Sequence, residues 1–303
     1  MPTTILAAAI NADLDTGSYF ELAARAATSC LEQAGITAAQ VGMLINAGVF
    51  RDQNICEPAV SALIQKRIGI GLEYAPGRLP AFSFDLMNGG TGLLHAIATA
   101  ECFLVSGEVS YVLLVAGDTH PSTERHVDGF PYSTSAAAIL LGTSGAAGGF
   151  GALHTIDTAG PADPTAWVAM GEVGANGRSA MSTRAGADDL VELAAVAVRD
   201  CLTAEGLDVA DFAEGRAVLL APTWTLAFPA RLASTLGLTP EAIIGVDPSV
   251  DNPYSAAPVH AYVSARDGGA LAEARTVLFL AADDTSAACL AYHQHALAHV
   301  GSR

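Results

Sequence analysis

Phe84-Asp85-Leu86-Met87-Asn88-Gly89-Gly90-Thr91-Gly92 runs straight into Leu93-Leu94-His95-Ala96-Ile97-Ala98. This stretch reads as a short strand, a tight turn and the immediate start of a helix. Small residues let such a turn lie close to neighbouring backbone. The first turn of the helix gathers unpaired N–H groups and positive partial charge. A nucleophile held there is activated and an oxyanion is stabilised. The same sequence also suits a turn that needs glycine only for packing.

Outward from this elbow, short apolar runs alternate with longer segments of helical period, the pattern of α/β layers. Towards the N-terminus the spacing predicts strands at Thr4–Ile10 and Val41–Val49 and helices at Tyr19–Ala34 and Cys56–Ile68. Around and beyond the elbow it predicts a strand at Phe82–Leu86 leading in, a helix from Gly92 to Val105, and strands at Tyr111–Ala116 and Ser135–Leu141. The second half repeats the alternation: helices at Val191–Ala204, Pro229–Leu236 and Ser255–Ala265, strands at Ala217–Ala221, Thr276–Ala281 and Ala287–Tyr292. The segment from Gly142 to Asp188, rich in Gly, Ala, Ser and Thr, is expected to carry the crossover and a surface excursion.

Two internal echoes turn alternation into duplication. CLEQAGI at Cys30–Ile36 matches CLTAEGL at Cys201–Leu207, and YVLLVAGDT at Tyr111–Thr119 matches TVLFLAADDT at Thr276–Thr285. Residue 201 lies 171 after residue 30, and residue 276 lies 165 after residue 111, so the unit is half the chain and no solenoid repeat. The expected organisation is two α/β halves, residues 1–150 and 151–303.

The order of features resembles the β-ketoacyl-ACP synthase III branch of the thiolase superfamily. Phe84-Asp85, the Asn/Gly turn, the helix through Ala100-Glu101-Cys102-Phe103-Leu104, Ser106-Gly107 and the strand Tyr111–Ala116 follow one another as they do in that family. Ser133–Ala138 stands in the place of its Gly/Ala-rich strand, and Asn252-Pro253-Tyr254-Ser255-Ala256-Ala257 is similar to its Asn-x-Ser-Ala-Ala segment with one residue more. The resemblance implies a thiolase-like fold, two pseudo-repeated α/β halves forming a layered αβαβα core. It also implies acyltransferase chemistry on acyl thioesters of coenzyme A or acyl carrier protein.

It further implies a degenerate site. The family's nucleophilic cysteine position falls on Gly90, which has no side chain to acylate. Its histidine position, after a strand and a proline, falls on Thr223, and its asparagine on Asn252. Met1–Gly17 holds neither the tryptophan nor the arginines that grip the coenzyme A nucleotide in the family. Substitute groups remain open. Thr91 and Cys56 are alternative nucleophiles; Cys56 equally suits a helix lining a subunit interface. His260 and His95 are alternative bases, or simply packed or capping histidines. His120 and His126 show no spacing that converges on a metal, and no phosphate-binding loop or dinucleotide fingerprint is present.

Composition narrows the partners. A formal net charge of −17 disfavours nucleic acid and anionic membrane surfaces. Hydrophobic residues reach 51% against 15% charged, more apolar surface than a lone monomer covers comfortably, so an obligate oligomer is expected. No apolar run is long enough to span a bilayer, and the N-terminus lacks a secretory signal. Five scattered cysteines without CxxC spacing point to a reducing cytoplasm, with no disulfide frame, metal site or cofactor. The expectation is a non-catalytic partner subunit of a ketoacyl-synthase-like enzyme, or a homodimer. A non-covalent acyltransferase or hydrolase and an acyl-thioester binding module are the alternatives.

Overall fold

The computed structural model describes residues 1–71, 80–145, 147–159, 164–169, 171, 178–184 and 190–294. In chain order the first half carries β1 (Thr3–Asn11), α1 (Tyr19–Ala34), β2 (Met43–Asn46), α2 (Val60–Ile68), β3 (Phe82–Asp85), α3 (Gly92–Ser106), β4 (Tyr111–Asp118) and β5 (Ser135–Thr143). The second carries β6 (Gly149–Asp157), the short pair β7 (Ala166–Trp167) and β8 (Ser182–Thr183), α4 (Val191–Glu205), α5 (Val209–Ala213), β9 (Ala217–Leu220), α6 (Phe228–Leu236), β10 (Ile243–Ile244), α7 (Ala257–Asp267), β11 (Thr276–Ala282) and β12 (Ser286–His293).

The two large sheets have one topology. The first is ordered β1-β5-β4-β2-β3 and the second, read from its other end, β6-β12-β11-β9-β10. In each, three strands run parallel (β4, β2, β3 and β11, β9, β10) and two pair antiparallel at one side. Apolar clusters show the layers. Leu22, Ala26 and Cys30 of α1 and Ile64 of α2 pack with Leu44, Leu113 and Leu140 on one face of the first sheet. Val198 and Cys201 of α4 and Leu232 of α6 do the same with Leu219, Leu278 and Leu280 of the second. Between the sheets, Leu93, Ile97 and Ala100 of α3 and Val259 and Val263 of α7 meet Ile45 and Leu114 on one side and Leu220 and Phe279 on the other. That is an αβαβα sandwich, a thiolase-type arrangement.

Most of the expected elements coincide with their sequence periodicity; β2 and α2 differ in extent, and β6, β7, β8, α5 and β10 add to them. β2 covers only Met43–Asn46, because its backbone then turns to carry the loop of Val49 and Phe50 to the carboxylate of Asp118. Helix α2 begins at Val60 and not Cys56, since Pro58 precedes it and the first amides need an outside acceptor. Asp85 supplies that acceptor: its carboxylate receives Val60 N–H at 2.8 Å and Ser61 N–H at 2.7 Å. Strand β6, hidden in a glycine-rich stretch, forms the edge of the second sheet against β12. Of the remaining stretch expected to form the surface excursion, residues 160–163, 170, 172–177 and 185–188 lie outside the described residues.

Candidate functional site

β3 ends at Asp85, Leu86 N–H bonds Asn46 C=O at 2.8 Å, and the chain turns through Asn88, Gly89 and Gly90 into α3. Gly89 has φ +54°, the left-handed region that glycine enters without strain. Space, too, demands glycine. A Cβ on Gly89 would overlap the Asp283 carboxylate, and one on Gly90 would stand 2.7 Å from the carbonyl oxygen of Ala282. The obstacle at Gly90 is backbone, which cannot swing aside as a flexible side chain would.

Gly90 N–H donates to Asp283 Oδ2 at 2.8 Å. The other oxygen of Asp283 accepts from Thr285 N–H (2.8 Å), Thr285 Oγ1 (2.7 Å) and Ser286 N–H (2.9 Å), so the carboxylate is held at both ends. Only 4% of Asp283 is exposed. What remains visible forms part of the wall of a cavity of about 360 Å³, shared with Tyr132, Tyr254, Trp224, Phe228 and Asn252. Tyr132 and Tyr254 stack with centroids 4.1 Å apart, and Trp224 lies 5.8 Å from Phe228. Burial pushes both tyrosine hydroxyls well above their ordinary pKa, with the negative charge nearby adding to it. They are donors here and not bases.

The seven residues singled out from the sequence do not assemble into one constellation. Asn252 reaches the cavity, but its Oδ1 accepts Tyr254 N–H at 2.9 Å and shapes the turn ahead of α7. Thr223 does not line it; its hydroxyl accepts Val246 N–H at 3.1 Å. Gly90 sits behind Asp283. Thr91 is fully buried, its hydroxyl donating to Asn88 C=O at 3.0 Å and lying 3.4 Å from Ser286 Oγ, with no basic side chain among its hydrogen-bond partners. Cys56 is exposed in a different cavity, beside Arg51, Phe50 and Trp167. His260 is 2% exposed, its Nε2 has no partner, and burial lowers its pKa to about 4 despite the pull of Asp247. His95 turns Nδ1 towards Thr91 C=O at 3.1 Å and lines a shallow apolar groove with Met87 and Cys102.

Sequence reasoning missed Asp283. The signal was present in the second echo: aligned without a gap from Tyr111 and Thr276, Asp118 falls on Asp283 and not on Asp284. Among the described residues no three His, Cys, Asp or Glu side chains converge as a metal site, and no helix is long and apolar enough to cross a membrane.

Comparison with known proteins agrees with the architecture. The chain is 36% identical over 99 residues to the β-ketoacyl-(acyl carrier protein) synthase III of Neorickettsia sennetsu, covering 32% of this chain and 29% of that one. It is 31% identical over 124 residues to the protein of the same name from Koribacter versatilis, covering 40% and 34%. The matched region thus spans about a third of those relatives' length. No family model matches. Among solved structures, Xanthomonas campestris OleA with bound lauric acid and lauroyl-CoA superposes with a TM-score of 0.75 at 15% identity, over 97% of this chain and 99% of that one. The synthase III, FabH, of Pseudomonas aeruginosa does so at 0.74 and 18%, over 98% and 99%.

Proposed function

Because the chain is a β-ketoacyl-ACP synthase III-like protein of the thiolase superfamily, we propose that it is a non-catalytic subunit, paired with an active condensing enzyme or acyltransferase of fatty-acid-like, polyketide or other secondary-metabolite biosynthesis. One observation carries the reading. The elbow that would present a nucleophile ends in Gly90, and a side chain there meets the Ala282 carbonyl at 2.7 Å. No thioester forms on a residue that has neither a side chain nor space for one. In this reading Gly90, Thr223 and Asn252 occupy the positions of a lost triad. Thr223 and Asn252 are spent on backbone hydrogen bonds.

A partner would sit at the free edge of the first sheet. β3 pairs with β2 on one side only, Phe82 is 54% exposed, and Met87 beyond it is also open. An apolar unpaired edge invites a second subunit of like fold, which adds apolar contact without needing an intact active site. A second copy of this chain is the alternative occupant. Five free cysteines suit the reducing cytoplasm in which such a complex would work.

A second reading, an acyl-thioester binding module, is favoured by the cavity of about 360 Å³ between the tyrosine pair and Trp224–Phe228, within the size range of small-molecule sites. Direct acyl transfer without a covalent intermediate has less support, since the elbow amide it would use is already bonded to Asp283.

The test is co-expression with candidate condensing enzymes from its own operon, native mass spectrometry of the purified complex, and intact-mass analysis after incubation with acyl-CoA. A mixed complex acylated on the other chain alone is the expected outcome. Turnover by this chain by itself, or an acyl group covalently on Thr91 or Cys56, would overturn the reading.

A further inference from the structure

The duplication supplies a second copy of the elbow with which to read the first. A shift of 165 residues, the distance from Tyr111 to Thr276, carries Gly90 onto Ser255, Gly92 at the start of α3 onto Ala257 at the start of α7, and Asp118 onto Asp283. The hydrogen bonds obey the same shift. Asp118 Oδ2, at the end of β4, accepts Ser255 N–H at 3.0 Å at the head of α7. Asp283 Oδ2, just past the end of β11, accepts Gly90 N–H at 2.8 Å at the head of α3. Each half thus sends a carboxylate across to the head of the other half's central helix. In both cases the second oxygen is tied down locally: Asp118 Oδ1 by Val49 and Phe50 N–H, Asp283 Oδ1 by Thr285 and Ser286 N–H.

We propose that Asp283 is a built-in occupant of the elbow's anion position, an autoinhibitory carboxylate that closes the site from within. This deepens the reading of the chain as acyl-silent and rests on it. An N–H at the head of a helix stabilises whichever negative oxygen it faces. In an acyl-transfer site that oxygen is the developing oxyanion, which must arrive and leave. Here it belongs to the chain, is held by three further donated hydrogen bonds, and is almost wholly buried. An incoming oxyanion would have to displace a tethered group that never dilutes away. The elbow of the first half has become the same kind of structural joint that Asp118 and Ser255 make in the second.

Chemical rescue tests the proposal on the full chain. In D283G the amide is vacated, and formate, the smallest carboxylate, is expected to fill it. Its addition in the millimolar range should raise the melting temperature saturably and shift the Gly90 amide resonance in glycine-labelled protein. The wild type should show neither change. A folded D283G whose melting temperature and Gly90 amide both ignore formate up to about 100 mM, about a hundredfold above a millimolar affinity, overturns the idea. Should D283G fail to fold, D283S, whose hydroxyl is too short to reach Gly90, takes the same titration, and indifference to formate overturns the idea there too. None of these outcomes depends on which partner the chain binds, so failure here leaves the subunit reading standing on its own test.

Discussion

The heads of α3 and α7 share a plan and differ in what surrounds it. At α7 the joint is sealed: Asp118 is fully buried, Ser255 adds a hydroxyl bond of 2.6 Å to the same carboxylate, and its Oγ also accepts Gly117 N–H. At α3 there is no side chain to add, and the carboxylate of Asp283 borders an open cavity. Their histidines, five residues on in each case, diverge in the same sense. His260 is enclosed without a partner for Nε2, while His95 lies in an open groove. Duplication therefore preserved the joint in both halves, but only the one at α3 lies in the wall of a cavity.

The sharpest way to break this symmetry is Asp118→Ala. It strands the amides of Val49, Phe50 and Ser255 in the interior, each costing about 1–3 kcal/mol. Urea unfolding is expected to show a loss of about 3 kcal/mol or more, with an unchanged slope. Asp283→Ala, beside the cavity where water can solvate the freed groups, should cost less than Asp118→Ala; equal losses would erase the distinction between the two joints.

Acid probes the sealed side next. Burial raises Asp118 to about 6 from 3.8, so the folded state holds that proton more tightly. Its contribution is fully present below about pH 4 and is lost as pH rises through 6. Burial lowers His260 to about 4 from 6.5, so its contribution is present above 6.5 and is lost as pH falls to 4. Between pH 4 and 6 the two oppose each other. Replacing His260 with Leu removes one arm: the stability difference between variant and wild type should move by about 3 kcal/mol in the variant's favour from about pH 7 to about pH 4. A difference that stays constant across that range would show that His260 is solvated.

Gly90→Cys tests the open side. The new Cβ meets the Ala282 carbonyl, so a loss of about 1–3 kcal/mol is expected from overpacking. Intact mass after incubation with acyl-CoA should show no adduct. A stable, acylated variant would mean that the elbow lacks nothing but sulfur. Asp85→Ala is the mildest change. It uncaps α2 at Val60 and Ser61, and about 1 kcal/mol is the expected cost in the same unfolding assay.

How far the chain could be read in advance varied with the kind of signal. The elbow, the long helices and the half-length echo are periodic and local, and residues such as Leu22, Ala26 and Cys30 announce one face of α1 by spacing alone. Strand β6 escaped because its glycines carry no alternation, and the start of α2 because its cap, Asp85, is 25 residues from Val60. Asp283 escaped for a stronger reason of the same kind. Its partner lies 193 residues away, and a carboxylate that meets a backbone amide leaves no trace in the partner's residue type. Gly90 read as an empty position; only the fold shows it to be a filled one.

The two central helices have one further consequence. α3 packs against strands of both sheets and so does α7, so the apolar face of each is covered only when both sheets are present. Severing the gene between Thr143 and Gly149 would give two fragments, each with the inner face of its sheet and its core helix bare. Such fragments would precipitate singly and regain solubility only when translated together, which makes this polypeptide a natural scaffold for a split reporter.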